Sequence, residues 1–359
     1  MNDKLKKYTL MIASLICILL IVYVLEIQNK TQKTNGTNPE INKFITLNMS
    51  KCGETKGLGC YKEIAQTLAQ NFPINDVLKI FEENEKTPIF FEKCHTTLHF
   101  LGQEEYKKLK STSEALAVGS PVCFAGFYHG VLEEYLSESG LVNNNTELVK
   151  VLPKLCGSPS DFKVQKIYNE CLHGLGHALM YATDDNLPES LKLCDSLSTE
   201  SDRNWCYSGS FMENSTSSTN KDHPSKYLKP DDILYPCNIL SKPYLNMCYT
   251  LQGFYFAELT KYDWKETGNL CLKVPPDYIN SCFNSLGQSL VGFSQNPEII
   301  KQNCLLTPEK FQSSCVEGVV GALYERYNQA QDKIETFCDE FGEKLKKICQ
   351  QRKSDLLVH

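Results

Sequence analysis

The sequence lacks the short motifs that mark most well-known catalytic sites. It contains no Gly-x-Ser-x-Gly elbow, no phosphate-binding glycine loop, no dinucleotide fingerprint and no His-Glu-x-x-His, so the usual hydrolase, nucleotide-binding and zinc-protease signatures are missing. No two cysteines form a Cys-x-x-Cys pair, which removes the usual footing for zinc ribbons, iron–sulfur clusters and haem attachment. Past the N-terminus there is no long basic run, and the formal charge is only −6; no nucleic-acid partner is expected. Strand-like alternation of convincing length is absent, which points to an all-α fold. Only one stretch is apolar enough to span a bilayer, which argues against a transport or channel function.

Cysteine, by contrast, is abundant, with seventeen in 359 residues. Cys17 lies inside the N-terminal apolar run, and the other sixteen form an even set of the kind that pairs as disulfides in an oxidising compartment. Read from the C-terminus they fall into local pairs with ten residues between members: Cys338 with Cys349, Cys304 with Cys315, Cys271 with Cys282, and Cys237 with Cys248. Successive pairs recur every 33 or 34 residues, a period typical of stacked helical hairpins. Toward the N-terminus the pattern loosens to Cys194 with Cys206, Cys156 with Cys171 and Cys52 with Cys60. Cys94 and Cys123 are left to bond each other.

Each unit then reads as a short helix ending near its first cysteine, a turn, and a longer helix carrying the second cysteine near its start. Two such helices, antiparallel, place the cysteines within disulfide reach. Pro243, Pro276 and Pro308 fall where the first turn of the second helix should be. Glycine stands three residues after a cysteine at Gly126, Gly174, Gly209 and Gly318, and its cost of about 1 kcal/mol in a helix predicts close approach of a neighbouring backbone there. The expected fold is an all-α solenoid of disulfide-stapled hairpins, with a period of about 33–43 residues. It resembles secreted, cysteine-rich, tetratricopeptide-like repeat proteins, though its consensus and cysteine spacing differ.

Residues 1–7 carry Lys4, Lys6 and Lys7, and residues 8–25 are uncharged and apolar. That combination predicts a cytoplasmic N-terminus, a single transmembrane signal-anchor at 8–25, and the bulk of the chain outside the cytoplasm. No small-x-small cleavage site follows the apolar run. Residues 26–50 are mostly polar and read as a tether, leaving 51–359 as the folded helical-repeat domain. A composition of 42% hydrophobic and 22% charged residues is ample for a core.

Of only seven histidines, five occur in three cysteine-led stretches: His95 and His99, His129, and His173 and His177. Residues four apart stack on one helix face, so each His-x3-His pair can aim at a common point. If the three helices are neighbours, His95, His99, His129, Glu133, His173 and His177 gather on one wall, with Glu213 reaching it from the next repeat. Neutral imidazoles with a carboxylate suit a transition metal such as Zn, Fe, Cu or Mn, in one ion or two. The competing account is a set of buried histidines bonded to carbonyls, or a metal-free cleft. Glutamate also stands ten residues after Cys94, Cys123, Cys248 and Cys315, at Glu104, Glu133, Glu258 and Glu325, which makes a repeat role as apt for Glu133 as a ligand role. Because the run from His173 to His177 has glycines where a zinc protease has its glutamate, Glu170 or Glu133 would have to act as base.

Two functions fit these features. One is a membrane-anchored metal centre, performing metal-dependent hydrolysis or oxidation on a secreted or surface substrate. The other is a non-catalytic interaction scaffold that binds a protein or peptide on the solenoid face.

Overall fold

The computed structural model describes residues 38–357, apart from short segments at 53–56, 85–86, 121, 124, 143, 163–164, 217–224, 295 and 327–330. Residues 1–37, including the expected span at 8–25, lie outside the described residues, as do His223 and His359. Within the described residues the protein is all-helical, with no strand and no helix long and apolar enough to cross a membrane.

The chain opens with α1 (Pro39–Lys51), α2 (Gly57–Asn71), α3 (Ile74–Asn84), α4 (Pro88–Leu109) and α5 (Thr112–Val118). It continues through α6 (Gly126–Glu138), α7 (Asn145–Leu155), α8 (Gln165–Ala182), α9 (Leu187–Cys194), α10 (Glu200–Thr216) and α11 (Lys242–Leu259). The last elements are α12 (Trp264–Cys271), α13 (Ile279–Phe293), α14 (Pro297–Leu305), α15 (Gln312–Arg326), α16 (Gln331–Asp339) and α17 (Glu343–Leu357). Short helices begin on strong caps. Asn186 and Asn296 accept from the backbone N–H of Glu189 and Glu298, each with a proline in the first turn, and Asp263 accepts from Lys265 and Glu266. Such caps occupy backbone donors that a short helix cannot satisfy internally.

Seven disulfides join the cysteines that the spacing pairs, and the eighth joins the two left over, Cys94 and Cys123. Their Cα atoms stand 5.6–5.8 Å apart, a normal disulfide span. In the C-terminal units the short helices α12, α14 and α16 carry the first cysteine at their ends; α13 and α15 carry the second near their starts, and α17 carries Cys349 about midway. The prolines divide. Pro243 lies in the first turn of α11, but Pro276 and Pro308 belong to separate 3-10 turns ahead of α13 and α15.

The longer helices pack in succession: α2 on α4, then α6, α8, α10, α11, α13, α15 and α17. Glycine permits the tightest of these approaches. A Cβ on Gly318 would stand 1.9 Å from the Asn284 carbonyl oxygen, and one on Gly126 or Gly209 would meet His95 or His173 oxygen at 2.5 or 1.9 Å. Those helices touch backbone to backbone at the cysteine-plus-three positions, and no other residue fits there.

Two expectations need correction. The tether expected at 26–50 does not extend past residue 38, because α1 begins at Pro39 and buries Ile41, Ile45 and Met49 at 0–3% exposure. Those three residues stand at i, i+4 and i+8, a helical stripe hidden among Asn, Thr and Lys. Nor do the units keep to the neighbour-only contacts that the expected solenoid implies. Lys166 on α8 donates from Nζ to the Glu325 backbone oxygen at 2.8 Å and pairs with its carboxylate at 3.0 Å, across 159 residues. The row of helices therefore curves enough for side chains of α8 to reach Glu325 on α15.

That meeting point includes Glu170, whose carboxyl is pushed up to about 8 by burial and then by the negative charge of Glu325, against the pull of Lys166. A protonated Glu170 can donate to Glu325. A carboxyl raised in the folded state keeps its proton where the unfolded chain has lost it, so this contribution is complete below about pH 4.5 and declines as pH rises toward 8. Replacing Glu170 with Gln should flatten that decline. Urea midpoints at pH 5 and pH 8 test it, and an unchanged pH difference in E170Q would show that the pair does not couple to folding.

Candidate metal centre

Four consecutive long helices build the site. α4 brings His95 and His99, α6 brings His129 and Glu133, α8 brings His173 and His177, and α10 brings Ser208 and Glu213. His129 and His177 each stand six residues after a cysteine, and His173 and Ser208 each stand two after. Equivalent repeat positions thus converge when the helices align. Gly174 clears the space for this: a Cβ there would come within 2.7 Å of the His129 ring. Gly176 faces α10 instead, where a Cβ would meet the Cys206 carbonyl oxygen at 2.1 Å. The two glycines of the His-Gly-Leu-Gly-His run are packing residues.

His129 is the ring that touches all the others. Its centroid lies 4.6 Å from His177, 5.5 Å from His173, 5.2 Å from His95 and 6.0 Å from His99. The flanking pairs are close too, at 4.9 Å for His173 with His177 and 5.9 Å for His95 with His99. All five expected histidines are therefore one cluster. His129, His173 and His177 are its buried heart, at 1%, 8% and 6% exposure. One ligand atom from each of these three lies within 4.8 Å of the others.

The hydrogen bonds fix where the lone pairs point. His177 Nδ1 is 2.7 Å from a Glu213 carboxylate oxygen, so Nδ1 carries the proton and donates it. His173 Nδ1 is 2.7 Å from Ser208 Oγ, and that hydroxyl donates its own proton to the Trp205 carbonyl at 2.7 Å. Ser208 must therefore accept from His173. Both Nε2 atoms are left with lone pairs, and they face each other at 3.1 Å. Two lone pairs at that distance repel unless a cation lies between them. His95 likewise donates from Nδ1 to the Cys123 carbonyl at 3.0 Å, leaving Nε2 open. His99 Nε2 meets Glu133 at 3.1 Å, leaving Nδ1 open. Both ring nitrogens of His129 are buried without a hydrogen-bond partner, a state that costs about 1–3 kcal/mol per polar group when nothing binds there.

Protonation is a poor way to fill this centre. Burial, followed by the neighbouring imidazoles, holds His129 and His173 well below the usual histidine range and lowers His95 to about 4. At the rim, burial also works against a charged His99, but the Glu133 carboxylate outweighs it and raises that ring. Burial would raise Glu213, yet the hydrogen bond it accepts from His177 holds it below the ordinary carboxylate value. Neutral, deprotonated imidazole nitrogens are what a transition metal binds.

Glu133 and Glu213, expected as ligands, instead grip the outer nitrogens of His99 and His177, the position of a carboxylate that orients a metal-binding histidine. Glu170 is not in the site at all but on the α15 side of α8. The other recurring glutamates also go elsewhere: Glu104 pairs with Lys107, Glu325 with Lys166, and Glu258 is raised to about 7 by burial. Ser208 is the functional residue that sequence reasoning missed. Its place two residues after Cys206, matching His173 after Cys171, was the available signal.

No protein family, curated protein or solved structure matches the chain. By its own structure it is a helical, disulfide-bonded protein with a buried histidine triad suited to a metal ion.

Proposed function

We propose that the chain is a transition-metal protein of an oxidising, extracytoplasmic compartment, its primary ion held by His129, His173 and His177. The observation that carries this reading is the approach of two lone-pair-bearing Nε2 atoms to 3.1 Å beside a third imidazole with no partner for either nitrogen. Three histidines leave a coordination position free, as in catalytic rather than structural sites. A bound ion would supply Lewis acidity or redox capacity for metal-dependent hydrolysis or oxidation of a secreted or surface substrate. Zn, Fe, Cu and Mn all suit the donor set. Eight disulfides support the oxidising compartment, and the apolar run at 8–25 supports a single membrane anchor ahead of the helical domain, a solenoid in this reading.

The test is metal analysis of the helical domain made under oxidising conditions and reconstituted with each ion in turn. At least one tightly held ion per chain is expected, and stoichiometric absence with all four retires the proposal. Replacing Glu213 with Gln should weaken binding about 10–100-fold, as for other residues that orient metal-bound histidines. Competition against a chelator of known affinity measures it, and an unchanged affinity would show that Glu213 does not tune the ligand.

A further inference from the structure

We propose that the centre takes two metal ions, with the His129 ring bridging them. This rests on the reading of the triad as a metal site and extends it to His95 and His99. His129 has two buried ring nitrogens without partners, and a single ion can use only one of them. On one side stand His173 and His177, and on the other His95 and His99. With metal–nitrogen bonds of about 2.0–2.1 Å in a tetrahedral shell, the centres of two imidazoles on one ion stand roughly 5 Å apart. The centroid separations from His129 to both pairs, and within each pair, run from 4.6 to 6.0 Å and bracket that value.

The open nitrogens are also the right ones. His95 presents Nε2 and His99 presents Nδ1, because their other nitrogens are held by the Cys123 carbonyl and by Glu133. The second ion would rest on those two atoms and on the second nitrogen of His129, with Glu133 holding the His99 ring from its other nitrogen. Binding both ions requires the His129 ring to give up its N–H proton to solvent and become an imidazolate. Two divalent ions bring four positive charges. The imidazolate, Glu133 and Glu213 return three negative ones, so the cluster is close to balanced in a buried setting where unpaired charge is expensive.

Copper(II) is the probe that reads the bridge. The disulfide-intact domain should bind two Cu(II) ions per chain, and its EPR signal should integrate to far less than two spins because the imidazolate couples them. The variant His95→Ala/His99→Ala, which leaves the buried triad intact, should bind one Cu(II) with a full one-spin signal. A wild-type stoichiometry of one, unchanged in that variant, overturns the second site while leaving the triad reading in place. Two ions with a full two-spin signal overturn the bridge. If neither protein binds copper or zinc, although circular dichroism shows both folded, the triad reading falls and the second site with it.

Discussion

A saturating transition metal should raise the unfolding temperature of the helical domain by several degrees, and His173→Ala/His177→Ala should erase that rise. An ion present at a thousand times its Kd stabilises the state that binds it by about 4 kcal/mol. In a domain of this size each kilocalorie moves the midpoint by no more than about 2–4 °C. The effect should be large because the folded chain prepares the ligands. Ser208 and Glu213 already hold His173 and His177 with Nε2 atoms 3.1 Å apart, so two of the three rings need little ordering on binding. Two opposed lone pairs and a buried His129 ring without a hydrogen-bond partner carry a local penalty unless an ion lies among them, and binding relieves it. Differential scanning calorimetry with and without a chelator measures the rise in wild type and variant. An equal rise in both would place the binding somewhere other than this triad.

The sequence made the hairpins legible because ten residues between cysteines leave room for one turn between antiparallel helices and little else. The histidine cluster was legible for a related reason: once the long helices align, residues at fixed offsets from the cysteines share a wall. What that reasoning could not reach were contacts that no single repeat encodes. The meeting of Lys166 and Glu170 with Glu325 depends on curvature accumulated over several units. Helix α1 escaped because only three apolar residues mark its buried face. The roles of Glu133 and Glu213 were read as ligation because spacing tells which face a side chain shares, and not whether it reaches the common point or stops at a neighbouring ring. Separating those cases takes the distances of 3.1 and 2.7 Å to His99 and His177.

Glycine supplies the sharpest test of how the centre is held, because the same substitution should have opposite signs at different places. Alanine in place of a helical glycine gains about 1 kcal/mol where there is room. Gly292 and Gly321, with nothing near a new Cβ, should show that gain. At Gly130 on α6 a Cβ would lie 1.8 Å from the His99 carbonyl oxygen and 3.0 Å from the Gln103 nitrogen on α4, and at Gly287 on α13 it would lie 2.0 Å from the Cys315 oxygen on α15. Both obstacles are backbone, which cannot swing aside, so the helices must separate. Overpacking of this kind typically costs 1–3 kcal/mol, and Gly130→Ala and Gly287→Ala should each fall at or beyond the upper end of that range. They should differ in one respect. Only Gly130→Ala displaces α6 from α4, and with it His129 from His95 and His99, so it alone should lower metal stoichiometry. Paired measurements of urea midpoint and bound metal resolve the two effects. Equal metal content in Gly130→Ala and Gly287→Ala would mean that the α4–α6 seam does not set the geometry of the histidines.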